Sequence, residues 1–278
     1  MKKRTIRAVI LGLLIAVVPV LAAQEAAEPS QAKHGVRFVV CTTWSGGLPT
    51  PLYAKVGKEY QQVQISKVMP SQRIAPEGGV IKFYSSIPAT KKGGKAAKAE
   101  PVLTISIPSE HLGSSAKSLC VLEPRKDNDT EPHTHFLKES DFKLGGVHVV
   151  NLTHNTLEMV TDPAGKFDDK AAESKVKRAK IGGRVRGHNI SPKDGNVWSY
   201  VSQGKVERLP FVLQALPAIG RGEPTRICAA TLRTITGAAQ ISIVANHPTQ
   251  KGAYTLLSVQ FNDDTPQAKA ADTPKNER

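Results

Sequence analysis

The sequence predicts an all-β protein of two tandem antiparallel β-sandwich domains of the immunoglobulin-like type, with a short helix or disordered basic insertion in the second. Apolar and polar residues alternate with a period of two along much of the chain, whereas helical periodicity is scarce. Gly, Pro and Asn separate the alternating runs at intervals typical of sandwich strands. Periodicity and spacing together therefore predict the fold class.

Ten runs show the pattern of strands. In order, they are Val36 to Trp44, Gln62 to Ser66, Val80 to Ser85, Pro101 to Ile107, Ser118 to Leu122, Val147 to Leu152, Leu209 to Leu216, Arg226 to Leu232, Ile241 to Ala245 and Tyr254 to Phe261.

Residues 123–140 predict a linker between the two domains, because they have almost no apolar content and contain two prolines. Domain 1 then spans 35–122 and domain 2 spans 141–261. The flanking stretches 24–34 and 262–278 lack any core pattern, so we expect them to be disordered tails. A short echo links the run GVRFVV at 35–40 to GVHVV at 146–150, which two β domains often share by chance.

Residues 1–23 have the pattern of a secretory signal peptide: a basic start, an apolar run and then small residues. The apolar run, Ala8 to Leu21, is shorter than the roughly 20 residues needed to cross a bilayer. We therefore expect export to the periplasm or the cell exterior, without a transmembrane insertion.

The formal net charge is +14, of which the predicted signal peptide contributes four. Much of the rest falls in a basic insertion at 164–193, within which Asp168 to Ala179 is the one helix candidate. Cationic loops favour anionic partners through salt-sensitive attraction. The basic residues predicted to bind are Lys177, Arg178, Lys180, Arg184 and Arg186.

Trp198 and Tyr200 lie two residues apart, so on a strand their rings share one face. Exposed aromatic rings can stack on sugars or anchor protein interfaces. The pair is thus the candidate aromatic contact, with packing in the core as the alternative.

Three cysteines remain after the predicted signal peptide: Cys41, Cys120 and Cys228. Cys41 lies in the first predicted strand of domain 1 and Cys120 in the last, so an oxidising compartment allows a disulfide between them. Three free thiols are the alternative.

The motif search finds no catalytic constellation. The chain has no G-x-S-x-G, H-E-x-x-H, C-x-x-C, P-loop or calcium-loop pattern. The pair His133 and His135 lies in the polar stretch and is read as solvated. We predict no enzyme activity, no cofactor and no metal.

The segments GVRFVVCTTWSGGLPTPLYAKVGKEYQQVQIS, GGVIKFYSSIP, EPVLTISIPS, GGVHVVNLTHNTLEM and ISIVANHP carry a resemblance. In this order they resemble a group of uncharacterised exported two-domain β-rich proteins from Verrucomicrobia and Planctomycetes. A strand pattern hxxhNhT, where h is apolar, opens the second half of these proteins. Here it falls on Val147, Val150, Asn151, Leu152 and Thr153. The group has no assigned activity, so the resemblance implies the two-part β layout alone.

These features favour a non-enzymatic exported bacterial module that presents cationic loops to a protein or an anionic surface glycan. Two alternatives stay open: an exported hydrolase or metal-dependent enzyme whose site assembles from distant residues, and a carbohydrate-binding accessory protein. Nucleic acid is not expected as a partner, because the charge comes without a nucleic-acid-binding motif. The oligomeric state stays open.

Overall fold

The structure, a computed structural model, describes residues 34–41, 48, 50–57, 59–67, 69–87, 100–124, 131–161, 177–184, 190–202, 206–217, 222–247 and 250–262. The predicted signal peptide, most of both predicted tails, much of the basic insertion and Arg186 lie outside the described residues.

The described residues form fifteen strands and three short 3-10 turns. The first seven strands are β1 (Gly35–Val40), β2 (Leu52–Val56), β3 (Glu59–Val63), β4 (Val80–Tyr84), β5 (Leu103–Ser106), β6 (Lys117–Glu123) and β7 (His133–Lys138). The other eight are β8 (Gly146–Asn151), β9 (Leu157–Thr161), β10 (Lys177–Ile181), β11 (Val197–Val201), β12 (Arg208–Ala215), β13 (Thr225–Arg233), β14 (Ala238–Asn246) and β15 (Tyr254–Asn262). The turns are Ser109–His111, Glu139–Asp141 and Pro192–Asp194. The all-β prediction is confirmed.

Each half of the chain builds two sheets. The first half, β1 to β7, has a first inner sheet of order β1-β6-β7 and a first outer sheet of order β3-β2-β4-β5. The second half, β8 to β15, has a second inner sheet of order β11-β8-β14-β15 and a second outer sheet of order β10-β9-β12-β13. β1 runs parallel to β6 and β8 parallel to β14, whereas the sequence predicted antiparallel sheets throughout. Each parallel pair is joined by a connection long enough to contain the whole outer sheet of its half.

The two inner sheets are buried on both faces. One face of each packs against the other inner sheet in a shared core, which includes Val39, Leu119, Leu137, Val150, Ile241, Ile243, Val259 and Phe261. The opposite face of the first inner sheet packs on the first outer sheet. The opposite face of the second inner sheet packs on the second outer sheet. The layers therefore follow the order first outer, first inner, second inner, second outer.

Part of the predicted linker forms a strand in the structure. Residues 133–138 of the predicted linker form β7, which pairs with β6 along its whole length. The described residues belong to one compact unit, and the shared core draws side chains from both halves. The polar composition of β7 arises because it is an edge strand, with His133 and Lys138 exposed and only alternate side chains buried.

The helix candidate is also wrong where the structure describes it. Lys177–Ile181 form β10, which pairs antiparallel with β9 from Lys177 opposite Thr161 to Ile181 opposite Leu157. The exposed Lys180 and the buried Ile181 lie on opposite faces of this strand. The middle of the predicted insertion therefore belongs to a sheet.

The echo seen in the sequence marks equivalent strands. Gly35 begins β1 and Gly146 begins β8, and in both strands the next residue packs towards an outer sheet. A side chain on Gly35 would collide with the carbonyl of Ile74, and Gly35 has a φ of 116°. A Cβ on Gly146 would lie 2.8 Å from the carbonyl oxygen of Lys143. Both strands thus begin where only glycine fits without a shift of its neighbours.

Candidate anion-binding cleft

A cleft opens at one edge of the second half, where the edge strand β11 of the second inner sheet lies beside the edge strand β10 of the second outer sheet. Its volume is about 590 Å³. The lining residues are Met159, Thr161, Lys177, Arg178, Ala179, Trp198, Tyr200, Glu207, Arg208 and Leu209. The cleft therefore combines a floor of sheet side chains with aromatic and cationic walls.

Trp198 and Tyr200 form the aromatic wall. Both are on β11, which pairs with β8 and so fixes their side chains on the face towards the second outer sheet. Their ring centroids lie 6.4 Å apart and their planes differ by 11°. Both residues are half-buried, with the exposed Ser199 between them on the other face. The alternation of β11 thus aligns two nearly parallel rings along the cleft.

A hydrogen bond fixes the tyrosine ring in place. The Tyr200 hydroxyl donates to Oε2 of Glu207, and this bond, with a contribution from burial, raises the pKa of Tyr200. The Glu207 amide donates in turn to Oγ1 of Thr234 at 2.7 Å, and Thr234 is buried. The backbone bond to Thr234 therefore fixes the position of Glu207, and its carboxylate accepts the hydrogen bond of Tyr200.

Three exposed cationic residues line the cleft: Lys177 and Arg178 of β10 and Arg208 of β12. The Arg178 side chain is 62% exposed, although its Nη1 donates to Oε2 of Glu158 at 3.1 Å. The same Glu158 oxygen accepts from Nε2 of Gln214 at 2.6 Å. Glu158 thus orients Arg178 and leaves most of the guanidinium open to solvent.

The fold brings together some of the residues that the sequence singled out. Lys177, Arg178, Trp198 and Tyr200, predicted as a basic loop and a separate aromatic contact, line one cleft. Lys180 is exposed on β10 outside it. Arg208 also lines the cleft, and no sequence pattern indicated it, because an arginine at the start of a strand has no distinctive spacing.

Arg184 belongs instead to a cluster between the halves. Its Nη1 lies 3.0 Å from Nδ1 of His135, and Nε2 of His135 lies 2.8 Å from Oε2 of Glu123. Burial acts to raise the pKa of Glu123, but the hydrogen bond and charge of His135 and the charge of Arg184 together lower it. Arg184 is positioned by its amide, which donates to the carbonyl of Thr153. The cluster therefore links β6 and β7 to the second half.

Two buried histidines contact serines. Nδ1 of His111 lies 2.8 Å from Oγ of Ser118, and Nδ1 of His148 lies 2.8 Å from Oγ of Ser199. Burial lowers the pKa of both histidines, which favours the neutral ring. Within the described residues, no three His, Cys, Asp or Glu side chains are grouped as metal ligands would be.

Of the two alternatives for Cys41 and Cys120, a disulfide or free thiols, the structure has free thiols. Cys41 packs into the shared core, whereas Cys120 packs between the first inner and first outer sheets. The two side chains therefore lie on opposite faces of the first inner sheet, where no rotamer brings the sulfurs together. Burial, with a smaller contribution from Glu123, raises the pKa of Cys41 to about 12.

No protein-family model matches the chain, and no curated protein matches its sequence. The resemblance to exported two-domain β-rich proteins therefore stays a prediction. None of the helices in the described ranges has the length and apolar character needed to cross a membrane.

Proposed function

We propose that this is a non-enzymatic, exported binding protein that takes a negatively charged glycan into the cleft between β10 and β11. One observation carries the proposal: two nearly parallel aromatic rings and three exposed cationic residues line the same cavity. Export, to the periplasm or the cell exterior, is part of the proposal and rests on the predicted signal peptide.

The chemistry of the two walls suits such a ligand. Aromatic faces pack against the apolar C–H faces of sugar rings, and half-buried rings lose little conformational freedom when they do so. Arg178 and Arg208 can hold carboxylate or sulfate groups in bidentate fashion, and Lys177 adds a point charge. Neither wall alone selects a charged sugar, but the two together do.

The lining carboxylate supports binding rather than hydrolysis. Glu207 is the one carboxylate among the described residues that line the cleft, and it accepts the hydrogen bond of Tyr200. Hydrolysis of a glycosidic bond by the common mechanisms uses two carboxyl groups across the scissile bond. The cleft offers an orienting group instead of such a pair.

Titration calorimetry with three tetrasaccharides tests the proposal: a sulfated heparin fragment, a tetragalacturonate and the neutral maltotetraose. We expect the anionic fragments to bind and the neutral one to bind far more weakly. Trp198→Ala should weaken anionic binding by about 0.5–1.5 kcal/mol, the usual range for an aromatic contact. Arg178→Glu should weaken it by about 1.5–3 kcal/mol, because a charged hydrogen bond is lost.

Tyr53→Ala and Lys82→Glu, which alter half-buried and exposed residues of the first outer sheet, are matched controls and should leave binding unchanged. Equal affinity for maltotetraose, or a Trp198→Ala variant that binds like the unaltered protein, would contradict the proposal. Shortened oligosaccharides after prolonged incubation would instead indicate a hydrolase.

A further inference from the structure

The solvent-facing surface of the second outer sheet continues outward from the cleft. Along β12, Leu209, Phe211 and Leu213 point into the core, so Arg208, Pro210, Val212 and Gln214 point to solvent. Residues paired across strands share a face, which places Arg233 beside Arg208 and Arg226 beside Gln214. We call this surface the cationic face.

The cationic face carries five exposed cations: Arg178, Lys180, Arg208, Arg226 and Arg233. Among the described residues of these four strands, one carboxylate, that of Glu158, lies on this face, and it is ion-paired with Arg178. Arg178 and Arg208 also line the cleft, so the two surfaces share their cations. A ligand that leaves the cleft past these arginines meets further positive charge.

The register gives the dimensions of the face. Lys180, Glu158, Gln214 and Arg226 form one row across the four strands, which spans about 14 Å at the usual strand spacing. Arg208 lies six residues before Gln214 on β12, and Arg233 is its partner on β13. This pair is therefore about 20 Å from the row. The cations are therefore spread along a track rather than gathered around one point.

The corresponding surface of the first outer sheet is different. Lys55 and Lys82 are its exposed cations on β2 and β4, and Nζ of Lys55 lies 3.5 Å from Oε2 of Glu77. Tyr53 and Tyr84 pair across β2 and β4 beside them. The charge of the cationic face is therefore not a general property of the outer sheets in this fold.

We propose that the cationic face binds a linear anionic polysaccharide whose chain continues into the cleft, so that the protein recognises a polymer rather than a terminal sugar. This inference rests on the proposed function and deepens it. A second copy of the chain is a poor occupant, because two such faces would repel each other. A membrane is a poor occupant as well, because Pro210, Val212 and Ala229 are too short to insert into lipid.

The experiment compares chain lengths. Binding of a heparin tetrasaccharide and of long-chain heparin is measured by calorimetry over a range of salt concentrations, for the unaltered protein and for Arg226→Glu/Arg233→Glu. We expect the double variant to bind long-chain heparin about tenfold more weakly, because two solvent-exposed ion pairs are replaced by repulsion. Its affinity for the tetrasaccharide should be unchanged, and its salt dependence on long chains should be shallower.

A charge-neutral variant, Arg226→Gln/Arg233→Gln, repeats the test should the reversal impair folding. Lys55→Glu/Lys82→Glu on the first outer sheet is the matched control and should behave like the unaltered protein. Binding to vesicles of phosphatidylglycerol is measured in parallel, to test for a lipid surface as the ligand.

The outcomes separate the two proposals. One outcome would overturn the polymer inference and still support the proposed cleft. In that outcome, Trp198→Ala weakens tetrasaccharide binding, but the double variant at Arg226 and Arg233 binds long-chain heparin as tightly as the unaltered protein. Failure of every anionic fragment to bind would overturn both. Arginine-dependent binding to phosphatidylglycerol without binding to heparin would also overturn the inference in favour of a lipid surface.

Discussion

The first and second halves of the chain repeat one topology and differ in what they add to it. β1, β6 and β7 correspond to β8, β14 and β15, and the outer orders β3-β2-β4-β5 and β10-β9-β12-β13 match strand for strand. Equivalent residues face equivalent layers, as do Val39 and Val150 in the shared core. The three equivalent inner strands of each half keep the repeat, and the differences lie beside them.

The clearest difference lies beside the first strand of each half. β1 is flanked by an irregular segment, which bonds to it through the reciprocal backbone pair of Val36 and Ile74 at 2.9 Å. β8 is flanked by the regular strand β11 at the same place in the order. β11 carries Trp198 and Tyr200, so the cleft exists where the second half has a full strand.

The two halves also use arginine differently at this place. Arg73, in the irregular segment, is buried and makes two bonds to Glu139, at 3.0 and 2.9 Å. Arg178 and Arg208 of the second half remain exposed around the cleft. The Arg73 guanidinium therefore holds the fold of the first half together, whereas Arg178 and Arg208 stay at the surface of the second half.

The largest expected effect tests whether the halves fold as one body. Leu119 and Ile241 occupy equivalent positions of β6 and β14 and are fully buried in the shared core. Leu119→Ala and Ile241→Ala should each cost about 2–5 kcal/mol through lost burial and a cavity. Because the core is shared, both should shift one and the same urea unfolding transition, followed by circular dichroism and tryptophan fluorescence.

Leu256→Ala, on the exposed face of β15, is the control and should change stability by no more than about 0.5 kcal/mol. Two separate transitions, each moved by one variant only, would show that the halves are independent domains.

The next largest effect concerns Asn151, which directly follows the segment that is similar in the two halves. Asn151 is fully buried, and its Nδ2 donates to the carbonyls of Asn155, Ile181 and Gly182. Its Oδ1 accepts from the amide and hydroxyl of Thr153. Asn151→Leu leaves buried polar groups without partners, so we expect a loss of roughly 1–3 kcal/mol in urea unfolding.

Thr153→Val removes one of these bonds, the 2.7 Å bond from its hydroxyl, and should cost less than Asn151→Leu. The equivalent residue of the first half is the apolar Val40. If Asn151→Leu were neutral, the hxxhNhT pattern would have no structural role in closing the second half.

The sequence pattern predicted the four inner-sheet strands that are buried on both faces and missed β2, β7, β9, β10 and β11. β1, β6, β8 and β14 are recognisable in the sequence because a strand that is buried on both faces has a nearly continuous apolar run. The sequence predicted a linker at β7 and a helix at the start of β10. Both are edge strands, which carry more polar residues because much of their surface contacts water, so the alternation of apolar and polar residues is harder to recognise.

The site could be predicted in parts but not as a whole. Lys177 and Arg178 stood out by charge and Trp198 and Tyr200 by ring spacing, yet nothing local joins them. They meet because β10 pairs with β9 and β11 pairs with β8, on facing sheets of one sandwich. Such pairings depend on contacts distant in sequence, which a single sequence does not display.

A smaller effect concerns the pH dependence of the cluster that links the two halves. The folded state lowers the pKa of Glu123 below its ordinary value of 4.5, so as pH falls the unfolded chain takes up this proton first. The stabilisation by Glu123 is therefore complete above about pH 4.5 and is lost as the pH falls through the lowered value. Glu123→Gln should unfold with a flatter pH dependence between pH 5 and pH 3 than the unaltered protein.

Glu59→Gln, at an exposed position of β3, is the control. A Glu123→Gln variant whose unfolding free energy keeps the original slope over this range would exclude the contact with His135 and Arg184 as a source of acid sensitivity.

The smallest effect distinguishes the thiols of the two halves without altering the protein. Cys41 and Cys120 of the first half are buried, and burial raises the pKa of both, that of Cys41 to about 12. Cys228 of the second half is half-buried, and burial raises its pKa as well. Because the thiolate is the reactive form, native protein should react slowly with iodoacetamide, and first at Cys228. Unfolding without reductant should then expose three alkylatable thiols by mass spectrometry, whereas a single thiol would mean that two cysteines are joined despite lying on opposite faces of a sheet.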